Sequence, residues 1–144
     1  ADLTHAPEDI PLFLAAATEN DVVLGSRFLP GATDARRGRE RLFSRLSHGA
    51  TSRFLRLPYD VTNAYRLYCL DRIDSKLFGG LQSSGYAFFF ESIFVLHKHS
   101  HRIKEVALRL AGRGAGQSKK DLSDIWGGAK QLVFLWGKHL FYRS

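Results

Sequence analysis

A short apolar run at residues 21–24 constrains the fold more than any other feature of this chain. Its three consecutive apolar residues predict a buried strand that stops at Gly25, with Ser26 and Arg27 at its carboxyl end. Open α/β sheets usually bind ligands beyond such strand ends, so Ser26 and Arg27 are expected to border a ligand site. Residues 103–110 alternate loosely between apolar and polar side chains and predict a further strand.

The glycine-rich basic stretch at residues 113–120 follows that second strand. Two glycines and an alanine leave the backbone few steric limits, so successive N–H groups can turn toward one bound anion. Its side-chain donors are the guanidinium of Arg113, the hydroxyl of Ser118 and the ammonium groups of Lys119 and Lys120. Residues 121–124 predict a helix start, which places the loop against the positive end of a helix dipole. A phosphate or diphosphate site suits these features, and so does a flexible basic surface loop.

The length and charge of the chain limit its class. With 144 residues, 44% of them apolar, the chain is expected to form one domain with a buried core. The net charge of +7 points to a phosphate-bearing partner, whether a nucleotide, a nucleic acid or an anionic membrane. No apolar run approaches the roughly 20 residues of a spanning helix. The single cysteine, Cys69, predicts a core thiol in a reduced compartment, and the lack of Met predicts that the chain is part of a longer protein.

Residues 36–56 hold seven arginines and one acidic residue, Glu40. The spacing predicts an amphipathic helix whose apolar positions are Leu42, Phe43, Leu46, Phe54 and Leu55. Its basic face is either solvated or placed against phosphate headgroups. Residues 121–144 predict a C-terminal amphipathic helix with an aromatic-rich face, which suits core packing and equally a membrane interface.

Two further helical features are predicted from short signals. Pro7 and two acids after it predict a helix first turn, with Ile10, Phe13, Leu14 and Ala17 on one apolar face. Residues 67–70 predict a strand, and Asp71 is expected to cap a short helix that ends at residues 79–80.

The most apolar segment, residues 85–96, contains one carboxylate, Glu91. Burying a lone carboxylate is costly, so Glu91 is expected either to pair with an arginine or to serve a function. The histidines that follow, His97, His99 and His101, lack the ordered spacing of a zinc site and are interpreted as surface residues.

Six ordered motifs make the chain resemble the polyprenyl-phosphate glycosyltransferases of the dolichol-phosphate mannose synthase kind. They are residues 1–5, 25–28, 44–45 and 60–66, residues 85–88 with Glu91, and Glu105 followed by residues 113–119. The resemblance covers nearly the whole chain and implies an inverting enzyme with a GT-A fold, an α/β domain with a mixed sheet flanked by helices. Residues 1–144 would then be its C-terminal portion, a single-domain fragment that lacks the nucleotide-binding half and is inactive alone.

The resemblance also implies roles for individual residues. Asp2, with Thr4 beside it, would hold Mg²⁺ or Mn²⁺ against the donor diphosphate, because hard cations prefer oxygen ligands. The acceptor phosphate would meet Arg27, Arg41 and Ser44, and the donor diphosphate would meet Arg113, Ser118 and Lys119. Asp60 and Glu91 are the candidate catalytic residues. Thr4, Glu40, Asn63, Ala64 and Ala107 depart from the usual family residues, which affects the expected sugar and lipid more than the reaction.

The implied reaction moves a hexose such as mannose or glucose to a polyprenyl phosphate, with inversion, at the cytoplasmic face of a membrane. Its donor would be GDP-mannose or a UDP-sugar. A phosphate monoester is largely dianionic at neutral pH and needs little help from a general base, which suits a set of arginines without a Ser-His-Asp triad. Two alternatives stay open: a basic nucleic-acid-binding module, although no such motif is present, and a catalytically silent membrane-surface protein of the same fold.

Overall fold

The computed structural model describes residues 6–34, 38–110 and 137. The helices are α1 (Ile10–Ala17), α2 (Gly38–Leu55), α3 (Ser75–Gly79) and α4 (Tyr86–Lys98), and short 3-10 helices cover Pro7–Asp9 and Leu70–Arg72. The strands are β1 (Val22–Ser26), β2 (Thr33–Asp34), β3 (Arg66–Tyr68), β4 (Ile103–Ala107) and β5 (Arg109–Leu110). The expected α/β class, with a mixed sheet flanked by helices, is confirmed.

The main sheet has three strands in the order β3-β1-β4. β1 runs antiparallel to β3, with Val22 opposite Tyr68, and parallel to β4, with Val22 opposite Ile103 and Ser26 opposite Ala107. A second, parallel pair joins β2 to β5, with Thr33 opposite Arg109. The predicted strand at residues 103–110 is therefore divided at Leu108, whose N–H donates to the Ser26 carbonyl while its own carbonyl accepts from Thr33.

β1 is the centre of the core because all five of its residues are buried. Side chains alternate across a strand, so Val22 and Leu24 belong to one apolar cluster and Val23 to another on the opposite face. The first cluster includes residues of α2 and α4, and the second includes Phe13 and Ala17 of α1. β1 continues through the predicted stop at Gly25 and ends at Ser26. A Cβ added at Gly25 would lie 2.5 Å from Leu108 Cδ1.

The two predicted amphipathic helices exist, but their inward faces differ from the prediction. On α1, Phe13 and Ala17 are buried, whereas Ile10 and Leu14 are 47% and 57% exposed. On α2, Leu55 is buried as expected. The other described α2 positions that face inward are polar, namely Ser44 and Thr51, while Leu42 and Leu46 are 59% and 64% exposed. α2 ends at Leu55, and Arg56 follows in the left-handed region with φ of 52°.

Local signals identified some element ends and missed others. The short helix ends at Gly79 as expected, but Asp74 caps it by accepting from the Lys76 N–H at 2.9 Å, so the assignment to Asp71 was wrong. Asp71 lies instead in the 3-10 helix Leu70–Arg72. The strand predicted at residues 67–70 is observed at Arg66–Tyr68.

The histidine segment is less exposed than predicted. His101 Nδ1 lies 3.2 Å from Asp21 Oδ2, and its side chain is only 15% exposed. His97 is half-buried and packs edge-on against Tyr59, with ring centroids 5.6 Å apart. Only His99 of the three is exposed.

Asp9 connects the start of α1 to β5. Its carboxylate is fully buried and accepts from Arg109 Nη2 at 2.8 Å and Nε at 3.1 Å. This ion pair fixes the strand that leads toward residues 113–120. In the part of the chain that the structure describes, no helix is both long and apolar enough to span a bilayer.

Candidate functional site

Arg27 and Asp60 form a buried ion pair at the carboxyl end of β1. Arg27 Nε and Nη2 donate to the two carboxylate oxygens of Asp60, each at 2.7 Å, and the Arg27 backbone N–H donates to Oδ2 at 3.2 Å. The side chains are 8% and 0% exposed. This two-point geometry fixes the orientation of the guanidinium plane.

Two hydroxyl groups complete the surroundings of the pair. Ser44 of α2 accepts from Arg27 Nη1 at 3.1 Å. Thr62 accepts from Arg27 Nη2 and donates to Asp60 Oδ1 at 2.8 Å. Burial alone would raise the pKa of Asp60, but the hydrogen bonds and charge of Arg27, with the Thr62 hydroxyl, outweigh it and hold that pKa below its usual value. Asp60 is therefore a carboxylate at neutral pH.

The loop that carries Asp60 is held to the sheet by polar side chains. Glu105 of β4 accepts from the Asp60 backbone N–H through Oε1 at 2.6 Å. Asn63 donates to the Gly25 carbonyl at 3.0 Å and accepts from the Tyr65 N–H at 3.1 Å. These contacts join the loop to both β1 and β4, so the position of Asp60 is set by the core of the fold.

Arg66 holds the other end of the same loop against α4. Its guanidinium donates to the carbonyls of Val61 and Phe89 at 2.6 Å and to that of Asn63 at 2.7 Å. The Phe89 ring centroid lies 4.8 Å from the guanidinium carbon. Burial lowers the pKa of Arg66, an effect that nearby Tyr68 and Asp60 partly offset. Arg66 is thus a structural cation bonded mainly to backbone carbonyls.

Glu91 is buried in α4, with 1% of the residue exposed. Its Oε2 accepts from the backbone N–H groups of Ser83 at 2.8 Å and Gln82 at 3.1 Å. The segment that precedes α4 is therefore folded over this carboxylate. The role of Glu91 as a catalytic residue stays a prediction, as does that of Asp60.

The predicted acceptor-side residues come together only in part. Arg27 and Ser44 are in direct contact, whereas Arg41 lies exposed on α2, one turn before Ser44. The predicted metal residues Asp2 and Thr4, the donor-side residues Arg113, Ser118 and Lys119, and the helix at residues 121–144 lie outside the described residues. Within residues 6–34 and 38–110 no group of three or more His, Cys, Asp or Glu side chains could hold a metal ion.

Sequence reasoning missed the supporting role of Glu105 and Asn63. Glu105 belongs to one of the ordered motifs, but its partner is a backbone N–H 45 residues away, which no side-chain pattern reveals. Asn63 stood out as a departure from the family pattern, and the structure shows that its amide fills a defined position against Gly25. The available signal was the alternation of β4, which places the carboxylate of Glu105 on the same strand face as apolar Ile103 and Ala107 and opposite exposed Lys104.

Comparison with known proteins supports the family resemblance. No family model matches the chain. It is 31% identical over 142 residues to the undecaprenyl-phosphate mannosyltransferase of Micrococcus luteus. The aligned residues cover 95% of this chain and 57% of that protein. It is 30% identical over 128 residues to the polyprenol monophosphomannose synthase of Mycolicibacterium smegmatis. The aligned residues cover 87% of this chain and 48% of that protein. The chain thus spans about half the length of these curated relatives. It is a homologue of about half of each of these two polyprenyl-phosphate mannosyltransferases.

Proposed function

We propose that the protein containing this chain transfers a hexose, most simply mannose, from a nucleotide-diphosphate sugar to a polyprenyl phosphate. The observation that carries the proposal is the buried Arg27–Asp60 pair with Ser44, at the strand end where such a family would receive the acceptor phosphate. The names of the two relatives support mannose as the sugar and a polyprenyl phosphate as the acceptor. GDP-mannose is the proposed donor, with a UDP-sugar as the alternative.

In the proposed reaction an oxygen of the acceptor phosphate attacks the anomeric carbon while the nucleoside diphosphate leaves from the opposite side. The new bond forms as the bond to the diphosphate oxygen breaks, so the configuration inverts. The phosphate monoester is already largely ionised at neutral pH, with a second pKa of about 6, so no strong base is required. Positioning and charge compensation supply the catalysis.

Asp60 acts through Arg27 in this proposal. Both of its oxygens are engaged by Arg27, Thr62 or the backbone, and the side chain is fully buried, so it orients the guanidinium. Arg27 and Ser44 then offer N–H and O–H donors to the acceptor phosphate, with Arg41 adding charge from the exposed side of α2. We further propose that Asp2, with Thr4 beside it, binds Mg²⁺ or Mn²⁺, which would neutralise charge on the leaving diphosphate.

The test uses the full-length protein, labelled GDP-mannose or UDP-sugars, and undecaprenyl or dolichyl phosphate in detergent, with Mg²⁺, Mn²⁺ or a chelator. Formation of a polyprenyl-phosphate hexose that needs all components supports the proposal. Arg27→Ala should lower kcat/KM for the acceptor by about 10- to 100-fold, because a charge-assisted contact is lost. The KM for the nucleotide sugar should change little.

Two further variants separate the contact from the fold. Arg27→Lys keeps a cation beside Asp60 but cannot make the two-point contact, so the acceptor KM should rise while the protein stays folded. Arg102→Ala is the matched control, because this arginine is 62% exposed and pairs with Asp21, away from Arg27. Equal losses in Arg27→Lys and Arg102→Ala, or no lipid-linked product from the unmodified protein, would refute the proposal.

A further inference from the structure

An open groove lies along the last two turns of α2 and the loop that follows. Its lining residues are Gly49, Ser52, Arg53, Arg56, Leu57 and Pro58. Gly49, Ser52 and Arg53 are spaced i, i+3 and i+4, so they share one side of the helix, and Arg56 directly follows its end. This side differs from the inward side that carries Ser44, Thr51 and Leu55. The groove is therefore separate from the Arg27–Asp60 pair.

The charge in the groove is positive. Arg53 and Arg56 are both exposed, three residues apart, and among the residues that the structure describes no carboxylate pairs with either. Two positive charges that line one groove repel each other. The negative end of the α2 dipole offsets only part of the two positive charges. An anion between the two guanidinium groups would remove the repulsion.

Ser52 gives a second, independent indication. Its Oγ is buried in the groove wall, and within the described part of the chain it has no hydrogen-bond partner. A buried hydroxyl without a partner is unfavourable, and rotation of this side chain into the groove would let the hydroxyl donate to an anionic oxygen. Gly49 leaves the groove open, because an added Cβ there would meet nothing within 4 Å.

We propose that this groove binds a phosphate group, with Arg53 and Arg56 supplying charge and Ser52 a hydrogen bond. The phosphate belongs either to a phospholipid headgroup or to a small soluble phosphate. Exposed Leu42 and Leu46 on the same helix favour the headgroup, since apolar side chains beside arginines suit a bilayer surface. The inference does not depend on the proposed transfer reaction.

The main experiment measures sedimentation of the full-length protein with phosphatidylcholine vesicles, with and without phosphatidylglycerol or phosphatidic acid. Arg53→Gln combined with Arg56→Gln should weaken binding to the anionic vesicles about tenfold or more. The control combines Lys76→Gln with Lys104→Gln, which removes two charges from exposed residues outside the groove. It should weaken binding less than about threefold. Equal losses in the two double variants would overturn the proposal.

Two charge-preserving variants test the groove itself. Gly49→Leu fills open space and replaces a helix glycine, so the thermal midpoint should stay or rise while binding falls about fivefold or more. Ser52→Ala removes a buried unpaired hydroxyl, so it should likewise weaken binding without lowering the midpoint. Wild-type binding by both variants would show that the groove is not the site.

The source of the phosphate is decided by competition with inorganic phosphate at matched ionic strength. Release from vesicles by phosphate but not by chloride assigns the groove to headgroups. Perturbation of the Gly49 and Ser52 amide resonances by inorganic phosphate, without vesicle binding, assigns it to a soluble phosphate. The absence of both effects would overturn the proposed site. Sugar transfer to acceptor in detergent should survive in the Arg53/Arg56 double variant, so failure of the proposed reaction and failure of this site are distinguishable.

Discussion

Asp60→Asn gives the most direct test of the Arg27–Asp60 pair. The substitution keeps the size of the side chain and one acceptor oxygen, but it places an NH₂ group where a carboxylate oxygen now accepts from Arg27. Arg27 would remain a cation with a side chain only 8% exposed and without its counter-charge. Removing one partner of a buried pair costs about 3–5 kcal/mol, a large share of a typical stability of roughly 5–15 kcal/mol.

The measurement is urea denaturation of the full-length protein, with Asp71→Asn as the matched control. Asp71 is exposed and, among the described residues, pairs with no cation. Surface substitutions of this kind usually change the free energy of unfolding by about 0.5 kcal/mol or less, so the control should lose little stability. A loss under about 1 kcal/mol in Asp60→Asn would contradict the buried-pair argument.

A double variant separates the buried charge from other effects of the substitution. Arg27→Met removes the cation, so adding it to Asp60→Asn should recover about 2 kcal/mol or more relative to Asp60→Asn alone. Sugar transfer should stay low in both variants, because the guanidinium is misplaced in one and absent in the other. Stabilities that simply add, or normal transfer by the double variant, would refute this reasoning.

Three further outcomes are expected. Glu105→Ala should lower the free energy of unfolding, measured by urea denaturation, by about 1–3 kcal/mol, because the Asp60 N–H loses its acceptor. Glu105→Gln keeps an acceptor and should lower it less, and equal losses in the two variants would contradict this. Gly25→Ala should lower the free energy of unfolding by about 1–3 kcal/mol, because the added methyl group overlaps Leu108. In a protein that already carries Leu108→Ala, the same substitution should lower it less. Because the pKa of Asp60 is lowered on folding, its contribution to stability is present above the unfolded value of about 3.9 and is lost as pH falls through the folded value. Acid titration of unfolding should show this loss, and Asp60→Asn should flatten it.

The sequence predicts the elements of this fold better than their contacts. Three consecutive apolar residues identified β1, and the spacing of residues 36–56 identified α2. Periodicity shows which side chains share a helix face but not which face meets the sheet. Ser44 and Thr51 can face inward because each hydrogen-bonds inside the protein, Ser44 to Arg27 and Thr51 to backbone carbonyls. Because Ser44 and Thr51 take the inward positions, Leu42 is exposed, contrary to the prediction.

The site was predictable as a set of residues and not as an arrangement. Arg27 and Asp60 were both identified, but 33 residues separate them and the family resemblance gave them different roles. Glu91 was expected to need a partner, and the described donors are backbone N–H groups of Gln82 and Ser83, which every sequence contains. Contacts of this kind depend on the path of the chain, so only the structure can supply them.

Pairing also bears on how the proposed acceptor site would attract a phosphate. Arg27 and Asp60 together carry no net charge, so the attraction of a dianion by Arg27 is opposed by the carboxylate beside it. At an effective dielectric of about 20, two unit charges 4 Å apart interact by about 4 kcal/mol. The repulsion of the phosphate by Asp60 is nearly as large as its attraction by Arg27. Net attraction must therefore come from another cation, the role that the proposal gives to Arg41 of α2. In that proposal the pair fixes the direction of the donors, and Arg41 supplies the charge.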